Sequence, residues 1–202
     1  MVENPVRQPE QADVPSAVRT LRRAFADYPF TRHTIDADDH ERRLERFHEL
    51  FLTRIGMEHG SVRVAGPVGD VRAVAVWTTP RTDAGHVFTE LAPRFAELAG
   101  NRAQCYEEAE AAMAPHRPTA PAWFLGAVGV DPGHQGRGLG GAVVRPGITA
   151  AEQEGAVAFL ETSEERNVGF YQRLGFTVEA EFPLPHDGPW TWSMLRRPYR
   201  AL

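Results

Sequence analysis

Residues Gln135-Gly136-Arg137-Gly138-Leu139-Gly140 join a strand-like run, Phe124–Val130, to a helix-like run opening at Gly141-Ala142-Val143-Val144. At such a junction the first N–H groups of the helix lack an intrahelical acceptor and sit at the positive end of its dipole. Glycines let a bulky anion approach that backbone without meeting a Cβ. The chemistry this pattern supports is the holding of a phosphate. Gly136, Gly138 and Gly141 also match G-x-G-x-x-G, with Glu161 downstream where an acid would meet a ribose. A dinucleotide site, however, starts its glycines almost directly after the strand. Here Asp131-Pro132-Gly133-His134-Gln135 intervene, and the hairpin-like stretch after Glu161 leaves no room for several more parallel strands. A purely structural glycine turn is the remaining alternative.

Other reactive residues are sparse. The single cysteine, Cys105, excludes an internal disulfide framework and a CxxC metal site, and reads as a small buried residue rather than a nucleophile. His48-Glu49-Leu50-Phe51-Leu52 lacks the second histidine of H-E-x-x-H, and the eight histidines show no ligand spacing, so no metal is expected. All 22 basic residues are arginine, which excludes a lysine-dependent mechanism. A net charge of −5 argues against a nucleic-acid partner. Met1–Arg7 lacks the apolar core of a signal peptide, and no apolar run approaches the ~20 residues of a membrane span. A cytoplasmic location without a membrane partner is therefore expected.

The elements that must position the glycine junction follow from periodicity. Asp13 is expected to cap a helix carrying Val14, Val18, Leu21 and Phe25 on one face. Leu44, Phe47, Leu50, Phe51 and Ile55 mark a second amphipathic stretch. Valines from Val62 to Val76, with Trp77, suggest two short strands around the Gly66–Asp70 turn. Helical periodicity returns from Ala84 to Ala114, followed by a stiff connector, Pro115–Pro121. Then come a strand (Ala122–Val130), the junction and its helix, a strand (Ala156–Leu160) and a helix (Glu165–Leu174). Strands around Phe176–Phe182 and Trp190–Leu195 close the chain. At 202 residues, with 42% hydrophobic and 24% charged residues, this reads as one α/β domain on a mixed sheet.

The spacing Gln135-x-x-Gly138-x-Gly140 after Val128-Gly129-Val130 resembles the acyl-CoA-binding motif of the GCN5-related N-acetyltransferases, the GNAT family. Asn167-Val168-Gly169-Phe170-Tyr171, leading to Gly175-Phe176, resembles that family's later element, in the expected order and separation. Further runs are similar to those members that acetylate puromycin-type aminonucleosides: Ala24–Pro29, Glu49–Arg54, Ala73–Pro80, Ala114–Pro118 and Phe159–Ser163. Phe30 and the loop Leu184–Trp190 depart from that likeness. The resemblance implies a GNAT fold of six to seven mostly antiparallel strands, flanked by helices and splayed at the centre. Residues 1–120 would form the acceptor side and 121–202 the acyl-CoA-binding core.

It also implies acetyl-CoA as co-substrate, held by the edge of Val128, Gly129 and Val130, by the cradle Gln135, Gly136, Arg137, Gly138, Leu139 and Gly140, and by Asn167. Tyr171 stands where the family places the acid that protonates the departing thiolate; a phenol pKa near ~10 nearly matches an alkyl thiol. A core tyrosine is the alternative. Glu161 is the expected base for the acceptor amine, or else a helix-capping carboxylate. Tyr28, Phe30, His33 and Trp77 are expected to line an aromatic acceptor pocket, or else to be core. The expected activity is acetyl transfer to a small-molecule primary amine, a puromycin-type antibiotic being the specific case. The alternatives are a tailoring enzyme fed by a carrier protein and a non-catalytic acyl-CoA sensor. Oligomeric state is not legible in the chain.

Overall fold

Seven strands form one sheet in the order β1-β2-β3-β4-β5-β7-β6 in the computed structural model, which describes residues 5–199. They are β1 (Val6–Arg7), β2 (Ser61–Ala65), β3 (Ala73–Thr78), β4 (Trp123–Val130), β5 (Ala158–Thr162), β6 (Thr177–Pro183) and β7 (Trp190–Arg196). Every neighbouring pair is antiparallel except β4–β5. The helices are α1 (Val14–Phe25), α2 (Pro29–Thr34), α3 (His40–Leu50), α4 (Ala84–Ala99), α5 (Ala103–Met113), α6 (Leu139–Gln153) and α7 (Glu165–Gln172). The single helical run expected from Ala84 to Ala114 is broken at Gly100, whose φ of 62° no continuing helix can adopt. Among the described residues no helix is long and apolar enough to cross a membrane. The first four residues of the stretch examined for a leader lie outside the described residues.

The sheet separates two cores, and β3 shows why. All six of its residues are buried, as a strand covered on both faces requires. Period-2 alternation sends Val74 and Val76 toward α1 and α3, and Ala73, Ala75 and Trp77 toward α6. Trp77 is therefore not an acceptor-pocket residue, contrary to expectation: its side chain is fully buried in the core beneath α6. Asp13 takes the expected N-cap position of α1, but its side chain makes no cap bond. It is itself helical in backbone, and its carboxylate accepts from the Arg7 guanidinium (2.6 and 2.8 Å) and from the N–H groups of Glu10 and Gly69 rather than capping α1.

Two irregularities open the sheet at its centre. Val76 pairs with Ala127 but Trp77 with Leu125, so Gly126 is an extra residue, a bulge that reverses the facing of β4 beyond it. The parallel ladder to β5 holds only for Trp123–Leu125 against Ala158–Leu160, while β4 runs on to Val130 without that neighbour. The central strands are splayed, as the resemblance implied.

Gly147 of α6 is the contact that admits the Trp77 indole: a Cβ there would lie 2.3 Å from the ring. Gly147→Ala is expected to destabilise the fold by roughly 1–3 kcal/mol through overpacking. Denaturant titration checks it; unchanged stability would mean that the indole can yield.

Candidate active site

The splay is the mouth of a cavity of about 1420 Å³ that runs from the glycine cradle into an aromatic chamber. At the cradle, Gly136 (φ 75°) and Gly138 (φ 77°) adopt left-handed backbone, and a Cβ at either would meet nothing within 4 Å. Among the described residues the N–H groups of Gly136, Arg137 and Gly138 have no acceptor, and neither do the first-turn N–H groups of α6. The exposed Arg137 guanidinium likewise engages no described group. The Gln135 amide turns back to the Val130 carbonyl (3.3 Å). The site is thus an open nest of donors and positive charge, shaped for an anion.

Midway along the cleft stands Tyr171, only 8% exposed, with Phe170 and Phe176 packed edge-on against its ring. Its hydroxyl has no partner among the described residues. Burial, reinforced by Tyr28, raises its pKa, so the phenol stays protonated at neutral pH and is available as a proton donor. Tyr28, at the start of α2, closes this region from the other side. Its oxygen accepts from the Ser163 N–H (2.7 Å) and lies 3.1 Å from Thr162 Oγ1, tying the α1–α2 junction to the end of β5. Asn167 Nδ2 reaches the same Thr162 oxygen at 3.3 Å.

Beyond Tyr28 the walls become aromatic. Phe47 and Phe51 stack 6.5 Å apart, Phe95 approaches Phe47 at 4.8 Å, and Tyr106 of α5 completes the group. Phe51 begins a π-helical segment, Phe51–Met57, an irregularity common beside functional sites. Its ring fills the space over Gly126, where a Cβ would come within 2.4 Å of it. Against this apolar surface lies one charged cluster. Arg117 donates from Nε and Nη2 to the two oxygens of Glu161 (both 2.9 Å), and Nη2 also lies 3.0 Å from Glu110 Oε2. Burial works against the Arg117 charge, yet the two carboxylates outweigh it and raise its pKa.

Residues 102–176 match the model of the acetyltransferase (GNAT) family. A Corynebacterium glutamicum structure described as histone acetyltransferase HPA2 and related acetyltransferase superposes with a TM-score of 0.76 at 27% identity, covering 99% of both chains. The chain is an N-acetyltransferase of the GNAT fold. The same architecture is shared with a Drosophila melanogaster polyamine N-acetyltransferase (TM-score 0.63, 18% identity, 96% of this chain and 99% of that one). It is shared too with a mosquito protein named arylalkylamine N-acetyltransferase like 5b (TM-score 0.61, 14% identity, same coverage). Enzymes of this family use acetyl-CoA as co-substrate, and the cradle fits its pyrophosphate: unpaired donors, open glycines and a free guanidinium.

The structure gathers most of the expected GNAT residues at one cleft and displaces others. Val128, Val130, Gln135, Gly136, Gly138, Gly140, Glu161, Asn167, Tyr171, Tyr28 and Phe30 line it. Leu139 contributes its backbone, since its side chain is buried in the α6 core. Gly129 faces away, with Leu21 and Ala24 of α1 against it. His33 is not a pocket residue: it does not line the cavity and packs instead against Gly188 in the C-terminal loop. Phe47, Phe51, Phe95, Tyr106, Glu110 and Arg117 were missed as site residues. The aromatics carry the same spacing as core, and Glu110 sits in a glutamate-rich run that reads as solvated.

His48 lies in the cavity wall between Phe25 (4.7 Å) and Phe47 (5.7 Å), with both ring nitrogens buried and without partners among the described residues. Burial lowers its pKa to about 3. The unfolded imidazole titrates near ~6.5, so stability is full above that value and falls as the pH drops toward 3, by up to ~1.4 kcal/mol per pH unit. His48→Leu is expected to flatten this dependence in denaturant melts at pH 7 and pH 5. An unchanged slope would place the sensitivity elsewhere.

Proposed function

We propose that this enzyme acetylates the primary amine of a small molecule bearing an aromatic ring. A puromycin-type aminonucleoside is the specific acceptor, and antibiotic resistance the consequence. The observation that carries this reading is the pairing, in one cleft, of an aromatic chamber with a cluster of two carboxylates and one guanidinium. Aromatic side chains offer a flat apolar surface to a planar ring, and the surplus negative charge attracts an ammonium group. Phe30 and the 184–190 loop, the two departures from the aminonucleoside likeness, meet in space: Phe30 packs on the cluster of Leu184, Ala109 and Met113. The structurally similar enzymes named for polyamine, agmatine and arylalkylamine acetylation support an amine of this size.

In this reading the cradle N–H groups and Arg137 hold the pyrophosphate of the acyl donor, and the unpaired edge of β4 beyond Leu125 takes up the pantetheine amides as an added strand would. Acetyl-CoA supplies an acetyl thioester activated for attack by an amine. Tyr171 gives its proton to the sulfur as the carbon–sulfur bond breaks, and Tyr28 holds the floor beside it. Transfer is direct, because no cysteine or lysine lines the cleft to carry the acetyl group.

The test is mass-detected acetylation with acetyl-CoA and a panel of puromycin, tyramine and agmatine. Gain of one acetyl group by the two aromatic amines, with kcat/KM at least ~10-fold above agmatine, is the expected outcome. Preference for agmatine would overturn the aromatic reading. Tyr171→Phe is expected to lower kcat by about 10-fold or more while leaving acetyl-CoA binding unchanged; wild-type turnover would remove Tyr171 from the role of acid.

A further inference from the structure

Arg117 stands between two carboxylates that it treats unequally. Glu161 receives two hydrogen bonds from the guanidinium, one on each oxygen, and its side chain is only 7% exposed. Glu110 receives one contact, on Oε2, and its side chain is 37% exposed, toward the cavity that it lines. Among the described residues Glu110 Oε1 has no partner. With both Glu161 oxygens neutralised by Arg117, the cluster's surplus negative charge resides on Glu110, at the surface an acceptor amine would touch.

We propose that Glu110, rather than Glu161, takes the proton from the acceptor's ammonium group, and that the Arg117–Glu161 pair positions its carboxylate; this rests on the amine-acetylating reading above. Glu110 Oε1 accepts one N–H proton, and the freed lone pair forms the bond to the thioester carbonyl carbon. As the carbon–sulfur bond breaks, its electron pair stays with sulfur, which takes the Tyr171 proton. The extra proton still on nitrogen is lost to restore Tyr171, and Glu110 returns its own proton to solvent when the product leaves. One ammonium and one thioester thus give one amide, one thiol and one free proton.

The surroundings favour this assignment over the other carboxylate. Facing Glu110 are Arg117 from the connector, Glu161 from β5 and Tyr106 from α5 itself, while Glu107, one turn away on α5, lines the same cavity. The neighbouring helices α2 and α4 bring uncharged Phe30 and Phe95 to the same chamber. Burial raises the Glu110 pKa, Glu161 adds to the rise, and Arg117 moderates it, so the carboxylate is a stronger base than one in water. His48 cannot compete for the proton, because both of its nitrogens are sealed from the cavity.

The experiment is the pH profile of kcat for the wild type, Glu110→Gln and Glu161→Gln, with saturating acetyl-CoA and the best amine of the panel. Acetyl-CoA affinity serves as the control for folding. Glu110→Gln is expected to lose roughly 100-fold or more in kcat at neutral pH and to recover as rising pH supplies free amine. Glu161→Gln is expected to keep an acidic limb, shifted to lower pH because a negative neighbour of Glu110 is gone. A wild-type kcat and profile in Glu110→Gln, or loss of the acidic limb in Glu161→Gln alone, would overturn the assignment. A best substrate without an aromatic ring would overturn the acceptor class while leaving the Glu110 profile readable with that amine. Glu110→Asp, keeping a carboxylate on a shorter arm, should retain the limb at reduced kcat.

Discussion

The parting of β4 from β5 after Leu125 is the constraint on which the rest of the structure depends. A sheet interior normally pairs every N–H and C=O, and leaving a run of central-strand backbone without a neighbour is costly unless something else satisfies it. Here only three residue pairs join the two strands, and the freed edge of β4 faces a cavity. The Gly126 bulge lets β4 change facing at that point, so Val128 and Val130 turn toward the cleft while Gly129 packs on α1. The Phe51 ring occupies the space left by the missing Cβ of Gly126. Tyr28 then pins the α1–α2 junction to the far end of β5, which keeps the wedge open at a defined width.

The wedge also decides where charge can be tolerated. Its cradle end is positive: helix-terminal N–H groups line it, and the exposed Arg137 stands on the turn beside them without lining the cavity. Its chamber end is largely apolar around the half-buried cluster of Arg117, Glu110 and Glu161, with Glu107 also in the wall, and the cluster persists because each of its charges has a partner. Such a cluster left one charge short is a poor stabilising device and a good cation receptor. The two ends of one cavity therefore carry opposite signs, the arrangement that the proposed pairing of a polyanionic donor with a cationic acceptor requires.

The cradle side of the cleft was legible in the sequence as a set of residues that the fold brings together. The glycines of the cradle and the strand before it stand out by type and spacing, the Asn167–Tyr171 block by resemblance, and the fold brings them to one cleft. The acceptor half was not. Trp77 and Phe51 are both large buried aromatics in amphipathic patterns, yet strand alternation puts one beneath α6 while the other ends in the cavity wall. His33 and Phe30 sit three apart on α2 and both meet the 184–188 loop, yet only Phe30 reaches the cavity. Glu110 is one of several glutamates on α5, and only the fold brings it beside an arginine from the connector and a carboxylate from β5. Local pattern specifies a face of a helix; it does not say whether that face meets core, cavity or water.

The central claim is that one cleft binds the acyl donor by its cradle and the amine by its aromatic chamber. A crystal structure with coenzyme A and an N-acetylated aromatic amine tests it most directly. The expected complex has pyrophosphate on the N–H groups of Gln135–Gly140, the thiol beside the Tyr171 hydroxyl, and the ring among Phe47, Phe95 and Tyr106 with its amide nitrogen nearer Glu110 than Glu161. Coenzyme A bound away from the cradle, or an aromatic ring lying outside the chamber, would contradict it.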